Sequence, residues 1–244
     1  INSIFDQGSY STYTLIKPRK NSSDVYDRDV ALALNIESTD DIDPIEVKKI
    51  VRETLLIENK RIPEINGPCV TVRYKETDKE TNELKEVFHI DLPVYAVDIN
   101  NNYKLARGTV SGKKENQFWE DSAPKEITEY INTCVEDSKD REQFRRIIKY
   151  LKQWKATKFA SVSSDGTPPS IGLTLLTCDN FIPFKENEKY DDLAALLYIV
   201  EIIFDKFSCV IDIDGSFKRT IEYRLKEKPF TDVFKKMTLN YKND

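Results

Sequence analysis

The chain has only 7 glycines and a single histidine in 244 residues, and it has no long apolar run. Each shortage excludes something. A membrane-crossing helix needs roughly 18 or more consecutive apolar residues. The longest apolar run, LAALLYIVEIIF, is shorter, contains Glu201 and reads as a buried helix. No basic segment followed by an apolar one opens the sequence, so the pattern of a secretory signal is missing. The four cysteines, Cys69, Cys134, Cys178 and Cys209, lie far apart with no Cys-x-x-Cys pair. That spacing excludes the common zinc patterns and fits reduced thiols in a cytoplasm. One histidine, His89, argues against His-dependent metal centres and catalytic triads. The net charge is −5, so the broad positive surface of a duplex-binding protein is lacking and strong nucleic-acid binding is not expected.

What remains is enough for one large or two small domains, with 39% hydrophobic and 11% aromatic residues. Asp27 to Leu34 reads as a strand. After Pro44, the residues Ile45, Val47, Ile50, Val51 and Leu55 recur at helical spacing. Two β-rich stretches, CVTVRY and VFHIDLPVYAVDI, flank the charged segment from Lys75 to Glu86, which reads as a hairpin connection. The first half is therefore an α/β layer. Later segments are helical. PKEITEYINTCVED opens with a proline suited to a first helical turn. DREQFRRIIKYLKQWK places Phe144, Ile147, Ile148, Leu151 and Trp154 on one face, and Asp192 to Phe207 is apolar nearly all round, as a central helix would be. The boundary is expected near residue 115, giving an α+β chain with domains at 1–115 and 116–244.

Asp27 and Asp29 sit two apart, so a strand projects both from one face. Asp91 is a third carboxylate within an apolar strand. On neighbouring strands the three would converge, and like charges that close raise one another's pKa unless a cation intervenes. An oxygen-only donor set favours Mg²⁺, with Mn²⁺ able to substitute, and a pair of such ions suits phosphoryl transfer. The Gly8-Ser9 turn, with exposed N–H groups and a hydroxyl, can hold nucleotide phosphates. Arg145, Lys149 and Lys152 form a basic stripe at i, i+4, i+7, which by itself reads as a solvated face; beside a nucleotide site Lys152 would neutralise pyrophosphate, and Arg145 and Lys149 are not assigned. His89 should share the strand face of Asp91, either as an ordinary sheet histidine or beside the site. Asp212 to Ser216, DIDGS, reads as a turn.

In order and context, GSYSTYTLIKP, DRDVALAL and HIDLPVYAVD resemble the signature of DNA polymerase β-type nucleotidyltransferases. More narrowly, the chain is similar to the bacterial cGAS/DncV-like nucleotidyltransferases, and WEDSAPKEITEYI, RRIIKYLKQWK and PPSIGLTLL extend the likeness through the helical half. The resemblance implies a polymerase β-like core followed by a helical domain, with NTPs bound in the cleft between them. It implies that Asp27, Asp29 and Asp91 bind two Mg²⁺ ions and that Asp91 completes the site activating the acceptor hydroxyl. Gly8 and Ser9 would contact the donor phosphates, and Lys152 and Ser170 the triphosphate tail. Tyr13 departs from the pattern, since many relatives carry glycine there. The implied activity is cyclic oligonucleotide synthesis in a cytoplasm, serving antiphage defence through a downstream effector and regulatory partner proteins. Two other readings fit the same residues: a template-independent transferase acting on RNA, protein or a small molecule, and a silent nucleotide-sensing module.

Overall fold

A computed structural model describes residues 2–19, 24–57, 61–78, 82–161, 167–211, 215, 217–235 and 237. The chain divides into two compact units, Ile1–Thr12 with Lys17–Thr128, and Tyr13–Ile16 with Glu129–Asp244. The division falls inside a helix rather than at residue 115. The polar stretch expected to mark the boundary joins two strands of one sheet, so its polarity belongs to an exposed connection.

The first unit is built on seven strands among the described residues. β1 (Ser3–Gln7) runs into a single helical turn, α1 (Gly8–Ser11), and then to β2 (Tyr26–Asn35). After α2 (Pro44–Leu55) come β3 (Glu64–Ile65), β4 (Cys69–Thr77) and β5 (Leu84–Val97), followed by β6 (Tyr103–Ala106) and β7 (Trp119–Ser122). The order is β1-β2-β5-β4-β3, with β6 pairing β5 and β7 pairing β6. β2 and β5 are parallel; the other pairs are antiparallel. The charged connection is shorter than expected, because β4 continues to Thr77 and β5 already begins at Leu84. Residues 79–81 within it lie outside the described set.

Strand alternation divides the sheet into two faces. Ala31, Ala33, Tyr95, Val97, Tyr103 and Leu105 pack on one side with Phe5. Leu32, Val70, Val94 and Ala106 pack on the other against Val47 and Val51 of α2. The start of α2 follows from its sequence: Pro44 needs no N–H partner, and the Asp43 carboxylate accepts from the Ile45 N–H at 2.8 Å. Lys48 of α2 is fully buried. Its three N–H groups donate to the carbonyls of Asn66 (2.8 Å), Gly67 (2.9 Å) and Gly108 (2.8 Å). Burial pulls its pKa down to about 8. The lysine thus fastens the segment entering β4 to the helix.

In the second unit, α3 (Pro124–Thr133, begun in the first) leads to α4 (Ser138–Lys158), α5 (Ser170–Asn180) and α6 (Asp192–Asp205). Two hairpins, β8 (Lys185–Glu186) with β9 (Lys189–Tyr190) and β10 (Ser208–Ile211) with β11 (Phe217–Thr220), interrupt the helical pattern expected here. Ile147 and Leu151 of α4 meet Leu173, Ala195 and Ile199 in the core. α6 is not the central helix its composition indicated. Ala195 and Ile199 are buried, but Leu193, Leu197, Val200 and Phe204 are 46–67% exposed along the opposite face. Most of the DIDGS stretch (212–214 and 216) lies outside the described residues.

Tyr13 has φ 59°, the left-handed region, where a side chain costs about 1–2 kcal/mol. This is the backbone that a glycine would adopt freely, which accounts for the glycine of the pattern from which Tyr13 departs. The Arg145 guanidinium lies 4.3 Å from the centre of the Tyr13 ring and offsets part of the cost, such contacts being worth about 0.5–1 kcal/mol at exposed sites. Tyr13→Gly is expected to leave stability within about 1 kcal/mol of the parent, because relief of strain opposes the lost stacking and the added freedom of the unfolded chain. Tyr13→Ala keeps the strain and loses the stacking, and should fall below the glycine variant. Urea denaturation of the three proteins checks this order.

Candidate active site

The parallel pairing of β2 and β5 builds the site. Its register sets Asp27 beside His89 and Asp29 beside Asp91, all four on one sheet face. Asp27, His89 and Asp91 each bring one potential ligand atom to within 4.8 Å of the others. Asp29 occupies a different place. A Cβ added at Gly8 would overlap the Oδ2 of Asp29, so the carboxylate lies directly over the glycine. Gly8 has φ 65°, which a side chain would resist in any case. The Gly8 carbonyl accepts from Ser11 Oγ at 3.0 Å and Thr12 Oγ1 at 3.1 Å, which holds the turn. Ser9 follows within α1 and is half-buried.

Asp91 is oriented from below. The Thr71 hydroxyl donates to Asp91 Oδ1 at 2.5 Å and accepts from Asn66 Nδ2 at 2.6 Å. Asn66 is one of the residues whose carbonyl Lys48 holds, so a chain of hydrogen bonds runs from α2 to the carboxylate. Thr71 is almost fully buried. Thr71→Val keeps the shape but strands the Asn66 amide and removes a donor from a carboxylate. The expected cost is about 1.5–3 kcal/mol in chemical denaturation, and Thr71→Ser should recover most of it.

His89 is held on both sides. Its Nε2 lies 3.3 Å from Asp27 Oδ1, and its Nδ1 lies 2.9 Å from Glu86 Oε1. Arg73 Nη1 donates to both oxygens of Glu86 at 3.0 Å, and its Nε reaches Glu64 at 3.2 Å. Burial alone would raise the Glu86 carboxyl, but hydrogen bonds from His89 and Arg73 outweigh it and hold the group below the ordinary carboxylate range. Asp27 is open by comparison, its side chain 48% exposed. The composition sets this lone histidine apart from metal chemistry; the register places it beside Asp27 and Asp91.

The remaining expected residues belong to the second unit. Lys152 of α4 donates to the Thr14 carbonyl at 3.1 Å. Ser170 opens α5, and Lys155 donates to its hydroxyl at 3.3 Å. Burial lowers the Lys155 pKa. Lys155, one turn beyond Lys152, is thus the lysine that reaches Ser170; the i, i+3 relation was available in the sequence. Arg145 stacks on Tyr13 and also approaches Asn132 Oδ1 at 3.4 Å.

The donor set fits a divalent cation: clustered carboxylates reached by a nitrogen, with no thiolate in the group. A mixed sheet with acidic residues paired across parallel strands, joined to a largely helical unit, defines an α+β polymerase β-like nucleotidyltransferase fold. Residues 2–95 match the family model described as "Cyclic GMP-AMP synthase DncV-like, nucleotidyltransferase domain". The chain is 27% identical over 192 residues to the cyclic GMP-AMP synthase of Escherichia albertii, covering 76% of this chain and 38% of that protein. Among solved structures, the CD-NTase CdnG of Bradyrhizobium diazoefficiens in complex with GTP is similar at TM-score 0.61 and 10% identity, over 84% of this chain and 64% of that one. DncV cyclic AMP-GMP synthase of Vibrio cholerae is similar at TM-score 0.59 and 19% identity, over 99% and 61%. The chain spans less than two thirds of each of these relatives. Residues 2–95 are thus similar to the bacterial cGAS/DncV-like nucleotidyltransferases, and the fold of the chain is similar to theirs.

Proposed function

We propose that this chain joins nucleoside triphosphates by metal-dependent nucleotidyl transfer, releasing pyrophosphate and producing a cyclic di- or trinucleotide. The observation that carries the proposal is the β2–β5 register, which gathers Asp27, Asp29 and Asp91 on one sheet face in a domain matching the DncV-like family. The names of the relatives, cyclic GMP-AMP synthase and a CD-NTase in complex with GTP, support the substrate class.

Asp27, Asp29 and Asp91 are the residues assigned to hold Mg²⁺, two ions with Mn²⁺ as substitute. Bound there, the metal supplies activation of the acceptor ribose hydroxyl and neutralisation of charge at the reacting phosphorus. The chain's own contribution is mainly positioning. Thr71 and Asn66 fix the direction of Asp91. Gly8 leaves room for the Asp29 carboxylate beside the turn that is assigned to the donor's phosphates, and Ser9 offers its hydroxyl to them. Lys152 and Ser170 are assigned to the triphosphate tail. Lys155 joins them as a further positive charge beside Ser170, since a lysine neutralises phosphate as a point charge. The cyclic product acts as a second messenger for an effector in antiviral defence, with regulatory proteins as partners. The four free cysteines support action in a reducing cytoplasm.

Pyrophosphate release tests the proposal. Purified protein with Mg²⁺ or Mn²⁺ and the four NTPs, singly and in pairs, should release pyrophosphate for at least one combination. Nucleotide binding without release under every combination would favour the sensing module.

A further inference from the structure

We infer that His89 is a nitrogen ligand of the cation held by Asp27 and Asp91, so that the pocket is a mixed nitrogen–oxygen site favouring Mn²⁺ and Co²⁺ over Mg²⁺. The inference deepens the nucleotidyl-transfer reading and rests on it only for the ion's role in turnover; ion binding can be measured by itself.

Position comes first. His89 is the register neighbour of Asp27 across β2–β5 and lies two residues before Asp91 on β5. A strand therefore projects its ring from the same face as both carboxylates. One atom from each of the three side chains falls within 4.8 Å of the other two, a spread that one cation can span. Orientation comes second. Glu86 Oε1 sits 2.9 Å from Nδ1 and Asp27 Oδ1 lies 3.3 Å from Nε2; in the tautomer whose Nδ1–H donates to Glu86, the Nε2 lone pair is left for a cation shared with Asp27. Metal-binding histidines characteristically carry such a carboxylate on the far nitrogen, which fixes the tautomer and strengthens the ligand. The orienting carboxylate is itself secured: Arg73, the register neighbour of His89 on β4, grips both oxygens of Glu86. A histidine present only to fill the sheet has no need of this two-layer support.

Selectivity follows from the donor. Mg²⁺ keeps to oxygen ligands and octahedral geometry, whereas imidazole suits the transition metals, for which Co²⁺ binds more tightly than Mn²⁺ in a given site. Replacing one oxygen by Nε2 therefore moves preference away from Mg²⁺.

The chain has a single histidine, which permits a direct test. Protein without added histidines is loaded with Mn²⁺ alone and examined by pulsed EPR. Nitrogen modulation from a directly bound imidazole is expected, and [¹⁵N]histidine labelling should convert it to the ¹⁵N pattern. Glu86→Gln should retain the modulation and weaken Mn²⁺ binding about tenfold or more. His89→Gln should abolish the modulation and lower Mn²⁺ affinity by about the same factor or more, with Mg²⁺ affinity nearly unchanged. Bound Mn²⁺ without histidine modulation in the wild-type protein, or no bound Mn²⁺, would overturn the inference. Histidine-coupled Mn²⁺ in a protein that releases no pyrophosphate would uphold it while removing the enzyme reading. Turnover without that coupling would do the reverse.

Discussion

Asp27→Asn combined with Asp29→Asn should lower nucleotidyl transfer by at least about a thousand-fold while the protein stays folded. Metal-assisted charge stabilisation contributes several kcal/mol at the transition state, and each 1.36 kcal/mol is about tenfold in rate. Neither aspartate is a core residue. Asp27 is half exposed, and asparagine has nearly the same shape. Removing two negative charges beside Asp91 relieves repulsion in the metal-free protein, so the melting temperature should hold or rise. Transfer rates and thermal melting on the same preparation separate lost chemistry from lost structure. Activity within tenfold of the parent would remove these residues from the mechanism.

Gly8→Ala should also be damaging, for a different reason. The backbone there has φ 65°, which costs an alanine about 1–2 kcal/mol. The new methyl would also overlap Asp29 Oδ2, so turn and carboxylate cannot both keep their places. Displacement of a catalytic group by about 1 Å can cost around a hundred-fold in rate. The expected result is a rate loss of that order with a melting temperature lowered by a few degrees. Unlike the aspartate pair, this variant retains every proposed metal ligand. Excess Mn²⁺ should not restore it, which steady-state rates across a Mn²⁺ titration would show.

Much of the first unit was legible because its signals are local. Alternation gave the strand through Asp27 and Leu34, and Pro44 with the apolar spacing after it gave α2. The shared face of Asp27 and Asp29 follows from the two-residue period of any strand. Which strands are neighbours does not follow, and that is where the site is decided. Thr71 becomes the anchor of Asp91 only through the β4–β5 register, and Glu86 becomes the support of His89 only because β5 begins before it. His89 was within reach, two residues from Asp91, but only the β2–β5 register sets it beside Asp27. The α6 face misled because composition alone cannot tell a helix surrounded by core from one buried along a single stripe. Tyr13 shows the opposite case: a mismatch to a glycine pattern marked a position that is left-handed in the structure.

The central claim is that three aspartates gathered by β2 and β5 serve the joining of nucleotides. The most direct measurement incubates the protein with Mg²⁺ or Mn²⁺ and α-labelled NTPs, then treats the mixture with phosphatase and analyses it by chromatography and mass spectrometry. The expected result is labelled, phosphatase-resistant material with the mass of a cyclic di- or trinucleotide, absent from the Asp27→Asn, Asp29→Asn protein. Complete loss of label to phosphatase under every ion and nucleotide combination, from a folded protein that binds NTPs, would contradict it.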